Sequence, residues 1–228
     1  MKRKDYPLRE RKIAKKKVAL TMAFVERLKS TRLEHISIRE VCESLDISEG
    51  TFYNYFPSKI DLVYYFQQLT CIRLIWWAGK NAQSNEALGY IDVLFDVASE
   101  NLDNSHLWFE LFSVFIGEKR KPLVISVSAL ERYYAFPDHE GIENIEEVTL
   151  PAHITEKVRL AVRQGEFSHD VDVEEVVMSL MTLLAGMPLA VFATMASVQD
   201  GFASLKERYR KHLQFIWEGF GRRFSGKA

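Results

Sequence analysis

The 228-residue chain is predicted to be all-α, with a small N-terminal part and a larger C-terminal one. Three observations predict this class. Apolar residues recur at spacings of three and four, and no alternating strand of useful length stands out. Only six prolines and eleven glycines punctuate the chain. Helix-start signals cluster between Ser37 and Asp61, ahead of longer apolar-periodic segments. At 47% apolar and 27% charged, the composition is that of a globular protein, which excludes a disordered or fibrous chain. The length allows a core that needs neither disulfides nor metal.

The elements follow in order. A helix is expected from Leu8 to Lys29, with Leu20, Ala23, Phe24 and Leu28 on one side and Lys15–Lys17 near its exposed end. Ser37-Ile38-Arg39-Glu40 reads as a capping box that opens a short helix ending near Leu45. Asp46 sits where a turn is needed. Ser48 is an N-cap for a second short helix through Tyr55. Pro57 interrupts the chain, and Ser58 to Asp61 opens a long helix to about Gly79. Further helices are expected over Asn85–Leu102, Ser105–Ile116, Leu123–Tyr134, Pro151–Gln164, Asp172 to about Ala196, and Phe202–Phe224. Ser105–Ile116 is apolar nearly all round, which predicts a buried helix. Residues 137–150 carry five acids and no base and read as an irregular acidic loop.

Charge divides the chain. Residues 1–60 hold 14 Lys+Arg and 8 Asp+Glu, a net of +6, although the whole chain has a net charge of −1. The remainder, 61–228, is therefore at −7. A basic N-terminal part suggests a polyanion partner for that part alone. The boundary places one domain at 1–60 and another at 61–228. Cys42 and Cys71 are too few for a disulfide framework. The N-terminus lacks the apolar stretch of a secretory signal, and no membrane-spanning helix is expected, so a cytoplasmic setting is the default.

Two short helices joined at Leu45-Asp46-Ile47 describe a helix-turn-helix. The first turn of its second helix offers free N–H groups suited to phosphate. There Gly50 would let DNA approach closely, and Thr51 can bond a phosphate or base or touch a thymine methyl. Tyr53 and Tyr55 can give hydroxyls to phosphates, while Phe52 and Phe56 face inward. Lys59 in the first turn of the next helix opposes the helix dipole, and a phosphate would account for it.

The stretch from Ser37 through Cys42, and from Leu45 through Leu62, resembles the DNA-binding signature of the TetR family of bacterial transcriptional regulators. Its most recognisable piece is Thr51-Phe52-Tyr53-Asn54-Tyr55-Phe56-Pro57-Ser58-Lys59-Ile60-Asp61-Leu62. In the C-terminal part, the likeness extends to the all-helical pattern and to Arg163–Phe167 before a long helix. The resemblance implies that Ser48, Gly50, Thr51, Tyr53, Asn54 and Tyr55 lie in the recognition-helix region that enters the major groove. It implies that Tyr53 and Lys59 hold the phosphate backbone, with Arg39 a weaker phosphate contact. Double-stranded DNA is the partner so implied. The sequence departs from the family in two loops. Asp46 stands where the family has glycine, and Arg32-Leu33-Glu34-His35 replaces a glycine-containing connection. Its basic N-terminus, Met1 to about Lys17, is also longer.

The resemblance further implies a homodimer through the last two helices and a small, hydrophobic or aromatic effector held between C-terminal helices. The effector would release the protein, as a repressor, from a palindromic operator. The aromatic and Met clusters are the candidates for lining that site: Trp76, Trp77, Trp108, Phe109, Phe112, Tyr133, Tyr134, Met178 and Met181. Such stripes at helical spacing equally describe an ordinary core. His106 and Glu110, four apart, could orient a polar ligand or face solvent. Enzyme chemistry is not expected: the chain has no Gly-x-Gly-x-x-Gly, no P-loop and no Cys-x-x-Cys, and its six histidines are scattered. No cofactor or metal is expected. The alternative reading is a helical ligand-binding or interaction dimer that has lost specific DNA reading, with Asp46 and the altered loop as the reason.

Overall fold

Ten α-helices are described here in chain order: α1 (Leu8–Leu28), α2 (Ile38–Glu43), α3 (Glu49–Tyr55), α4 (Lys59–Asn81), α5 (Ala87–Glu100), α6 (Ser105–Gly117), α7 (Ala129–Ala135), α8 (Leu150–Arg163), α9 (Val173–Thr194) and α10 (Leu205–Gly219). The computed structural model describes residues 6–83, 85–100, 105–117, 125–146, 148–194, 197, 200–201 and 204–221. Among these residues there is no strand, as the apolar spacing predicts. The expected positions Met1 to Asp5, Leu102, Leu123, Ala196, Phe202 and Phe224 lie outside the described residues.

The predicted caps form. The Ser37 side chain accepts from the Glu40 N–H, and the Ser48 side chain from that of Thr51. Ser58 Oγ accepts from the Asp61 N–H and donates to its carboxylate at 2.6 Å. Each bond satisfies a donor that the first turn of a helix leaves open. Thr149 caps α8, which carries Pro151 in its first turn and stops at Gly165, where φ is +76°. Asp172 Oδ1 accepts from the Glu174 and Glu175 N–H groups at the head of α9.

Two expected elements differ. Residues 125–128 are not helical, and α7 begins at Ala129. The reason is a full capping box: Ser128 Oγ accepts from the Glu131 N–H, and the Glu131 carboxylate accepts from the Ser128 N–H at 2.8 Å. The second difference is α6, which is not buried all round. Val114 is its buried side chain among those described, while Phe115 and Ile116 are 51% and 71% exposed. The acidic segment after α7 contains a 3-10 turn, Ile142–Asn144, entered through Gly141 at φ +82°. The Arg132 guanidinium holds it by donating to the Ile145 carbonyl.

The chain divides into two compact units. One comprises residues 1–73 with 106–147; the other comprises 74–105 with 148–228. The division falls within α4. In the first unit, Leu20, Phe24 and Leu28 of α1, Val41 of α2, Phe52 and Phe56, and Leu62 and Tyr65 of α4 are almost wholly buried. Helix α7 packs on α1. There Lys17 Nζ lies 3.0 Å from Glu131 Oε1 and 4.2 Å from the centre of the Tyr65 ring. Lys17 is thus drawn inward, and Lys15 and Lys16 alone of that run are exposed. Burial and the nearby Glu131 charge push the Tyr65 hydroxyl well above the usual phenol range.

In the second unit α5, α8, α9 and α10 pack together around Leu88, Ile91, Leu94, Phe95, Ile154, Val158, Val176, Leu180, Tyr209 and Leu213. Helix α9 bears on the expectation about membranes. No charged residue occurs between Val176 and Gln199, and α9 is long and apolar enough by composition to cross a bilayer. One side of it, with Val176, Leu180, Leu183 and Val191, is buried in this unit. Its other side leaves Met178, Leu189 and Phe192 exposed.

Candidate nucleic-acid interface

Helices α2 and α3 meet at a turn that depends on one unusual backbone angle. Asp46 has φ +52°, the sole positive φ of a non-glycine residue among those described. Short polar side chains tolerate this left-handed conformation better than most. The Ile47 N–H reaches back to the Cys42 carbonyl at 3.0 Å and closes the turn. The buried Cys42 thiol, its pKa raised by desolvation, packs beneath. The missing glycine is therefore replaced without loss of the turn.

Seven residues form α3, and their burial separates two faces. Phe52 is fully buried and packs its ring 5.7 Å from that of Phe56, which in turn lies 5.3 Å from Tyr65. Tyr53 stands edge-on to Phe52 at 5.2 Å and is 52% exposed. Ser48, Gly50 and Asn54 are exposed, and Thr51 and Tyr55 are partly so. The hydroxyls of Ser48 and Thr51 lie 2.9 Å apart. A Cβ added at Gly50 would meet nothing nearer than Ser48 Oγ at 4.0 Å. Nothing among the described residues requires glycine there, so the space is open to something outside them. Glu49 opens the helix, which sets a negative charge where phosphate attraction was expected.

The bases around this face behave differently from one another. Arg39 is exposed and bonds Glu43 at 2.8 Å, a pairing that raises its pKa. Arg9, Lys12, Lys15 and Lys16 of α1 are exposed. Lys59 is partly buried, and its ammonium donates to the carbonyls of Leu33 (3.2 Å) and Glu34 (3.1 Å). Those two carbonyls account for a lysine at the head of α4 without a phosphate.

The candidate effector residues fall in both units. In the first, Trp108 stacks on Phe112 at 4.8 Å and stands edge-on to Phe109 at 4.9 Å, and Tyr133 and Tyr134 lie 5.6 Å apart. His106 is bonded to the chain itself, through Nδ1 to the Leu28 carbonyl at 3.1 Å. A carbonyl only accepts, so Nδ1 carries the proton. Glu110, the other half of the expected pair, accepts from the Leu33 N–H at 2.9 Å. In the second unit, Trp76 and Trp77 meet edge-on at the end of α4, and Met181 packs on the core. Met178 is 65% exposed and faces outward. Among the described residues no group of three or more His, Cys, Asp and Glu is arranged to hold a metal.

The roles of Glu110, Lys17 and Glu131 were not read from the sequence. For Glu131 a signal existed, since Ser128-Ala129-Leu130-Glu131 is itself a capping-box sequence. For Glu110 there was none, because its partner is a backbone group 77 residues away.

A short helix with an inward aromatic face and an outward face of hydroxyls, an amide and a glycine, set behind a tight turn, defines a helix-turn-helix protein. Residues 33–65 match the bacterial regulatory proteins of the tetR family. The helical body is similar to a TetR family transcriptional regulator from Chloroflexus aurantiacus J-10-FL, with a TM-score of 0.51 at 14% identity, covering 96% of each chain. It is also similar to a bacterial regulatory protein in the tetR family from Rhodococcus RHA1, with a TM-score of 0.52 at 16% identity, covering 92% of this chain and 98% of that one. No curated protein matches the sequence. The resemblance read from residues 37–62 is borne out: residues 33–65 match the tetR-family model, and the fold is similar to those of TetR-family transcriptional regulators.

Proposed function

We propose that the protein is a dimeric DNA-binding repressor that a small molecule releases from a palindromic operator. The observation that carries this reading is the division of α3 into a buried Phe52 and an outward face of Ser48, Gly50, Thr51, Tyr53 and Asn54. An α-helix fits the major groove, where side chains meet base edges. Thr51 and Asn54 are the base readers. Tyr53, Tyr55, Ser48 and Arg39 bond the backbone, and the space at Gly50 admits it. The Glu49 charge requires compensation, which the exposed bases of α1 supply. Asp46 at φ +52° supports this reading over a helix-turn-helix that no longer reads DNA.

Dimerisation follows from α9 and α10. Met178, Leu189 and Phe192 on α9 and Phe215 on α10 are exposed large apolar side chains, and the helical period sets the three on α9 on one side of it. Covering these side chains with their twofold copy would create an isologous four-helix interface and pair two recognition helices. The same pairing explains why a membrane-length helix without a charge from Val176 onward belongs to this fold. The effector is an aromatic or hydrophobic molecule bound beside the Trp108, Phe109 and Phe112 cluster of α6 and the Tyr133 and Tyr134 pair of α7. Effector and DNA then oppose each other by one coupling free energy, typically ~1–3 kcal/mol. The reading is tested by enriching duplexes from random sequence with the purified protein. Recovery of a palindrome supports it, and recovery of no preferred sequence counts against it.

A further inference from the structure

The connection between α1 and α2 is held from two sides. Its 3-10 turn, Leu33–His35, has no side-chain cap of its own. Instead the Leu33 N–H donates to Glu110 Oε2 of α6 at 2.9 Å, and the Leu33 carbonyl accepts from Lys59 Nζ of α4 at 3.2 Å. The next carbonyl, Glu34, accepts from the same ammonium at 3.1 Å. One turn earlier on α6, His106 donates from Nδ1 to the Leu28 carbonyl at the end of α1. His106 and Glu110 are four apart and so share one face of α6. Arg27 extends the tie to α2 by donating to the carbonyls of Ala23 (3.1 Å) and Glu40 (3.4 Å).

This arrangement changes what Lys59 is for. A lysine in a helix's first turn opposes the helix dipole and needs a compensating acceptor. Two backbone carbonyls provide it within the chain. We propose that Lys59 and Glu110 are positioning residues that clamp the backbone of Leu33, one through its carbonyl and the other through its N–H. Lys59 acts on DNA through this clamp and not as a phosphate ligand. The clamp fixes the seat of α2, and with it the turn that aims α3. It replaces the glycine-containing connection that the sequence lacks at Arg32–His35. The inference rests on the reading that the helix-turn-helix binds a duplex.

Three full-length variants test it: Lys59→Met, Glu110→Ala and Glu110→Gln, the last retaining an acceptor for the Leu33 N–H. Each is assayed on a duplex enriched by the wild-type protein, across a salt series, with amide hydrogen exchange over residues 29–37 on the free protein. Lys59→Met and Glu110→Ala are expected to weaken binding roughly five- to thirty-fold, the loss of one or two hydrogen bonds. Both should keep the wild-type salt slope and exchange faster over residues 29–37. Glu110→Gln should restore affinity and protection. A salt slope that falls by about one phosphate in Lys59→Met, with exchange unchanged, would overturn the proposal in favour of a direct phosphate contact. Glu110→Ala indistinguishable from wild type in both readouts would overturn it as well. If the wild-type protein enriches no duplex, the DNA-binding reading fails, and the exchange data alone decide the clamp.

Discussion

Lys17 and Glu131 form an ion pair at 3.0 Å, with their side chains only 15% and 8% exposed. Glu131 serves two elements at once, because one oxygen meets Lys17 of α1 and the other accepts from the Ser128 N–H that starts α7. The Lys17 ammonium also lies over the Tyr65 ring. Tyr65 leads through Phe56 and Phe52 to Tyr53 on the outward face of α3.

Removing one partner of such a pair leaves the other charge buried and uncompensated. Lys17→Met and Glu131→Leu are each expected to lower stability by about 3–5 kcal/mol. The double substitution should cost less than the sum of the two. Urea denaturation of the three proteins measures this. Additive losses would mean the two side chains are not coupled.

Asp46 was legible as a turn residue because the helix-turn-helix pattern left it no other place, and its φ of +52° agrees. Asp46→Gly should be neutral or stabilising. Asp46→Val should lose roughly 1–3 kcal/mol, since a β-branched side chain resists the left-handed region. Thermal unfolding of both variants checks the sign.

His153 provides a pH dependence. Its Nε2 lies 3.0 Å from the Tyr90 hydroxyl, which donates to the Ile75 carbonyl, so Nε2 carries a proton. Burial, reinforced by the nearby Lys157 charge, lowers its pKa to about 4. The unfolded chain takes up that proton near the ordinary value of ~6.5. Stability is therefore full above about pH 6.5 and declines as pH falls toward 4. The slope is at most about 1.4 kcal/mol per pH unit, and partial exposure of the ring reduces it. His153→Gln, which keeps a donor for Tyr90, should flatten the decline. An unchanged slope would place the acid sensitivity elsewhere.

The caps, most helix boundaries and the two faces of α3 were readable because each depends on residues within four positions of one another. What stayed hidden depends on distant pairing. Helix α6 looks buried by composition, yet Phe115 and Ile116 are exposed, because composition records apolarity and not whether a neighbour covers it. The partners of Glu110 and Lys59 within the chain could not be read, since they are a backbone donor, the Leu33 N–H, and two backbone acceptors, the Leu33 and Glu34 carbonyls. Helix α9 shows the opposite case. Its uncharged stretch was in plain sight, and its two apolar sides follow from one face packing inward while Met178, Leu189 and Phe192 remain outside.

That outer face predicts the oligomer. Phe192→Glu combined with Met178→Glu should convert a dimer to a monomer by sedimentation equilibrium, and should weaken binding to a palindrome more than binding to a half-site. The inward side chains of α9 are untouched, so the variant should remain helical. A monomeric wild type would remove the basis for this prediction.

Gly50 discriminates between an internal and an external reason for a small residue. Gly50→Ala meets only Ser48 Oγ at 4.0 Å, so the chain should fold with unchanged or slightly raised stability. Affinity for DNA should nevertheless fall, because the added methyl occupies the space where the duplex approaches.

The central claim is that the outward face of α3 reads duplex sequence. It is tested most directly by comparing the duplexes enriched from random sequence by the wild type and by a Thr51→Ala, Asn54→Ala double variant of equal thermal stability. The account predicts a palindrome for the wild type and an altered or relaxed preference at defined positions for the variant. The same consensus from both proteins would contradict it.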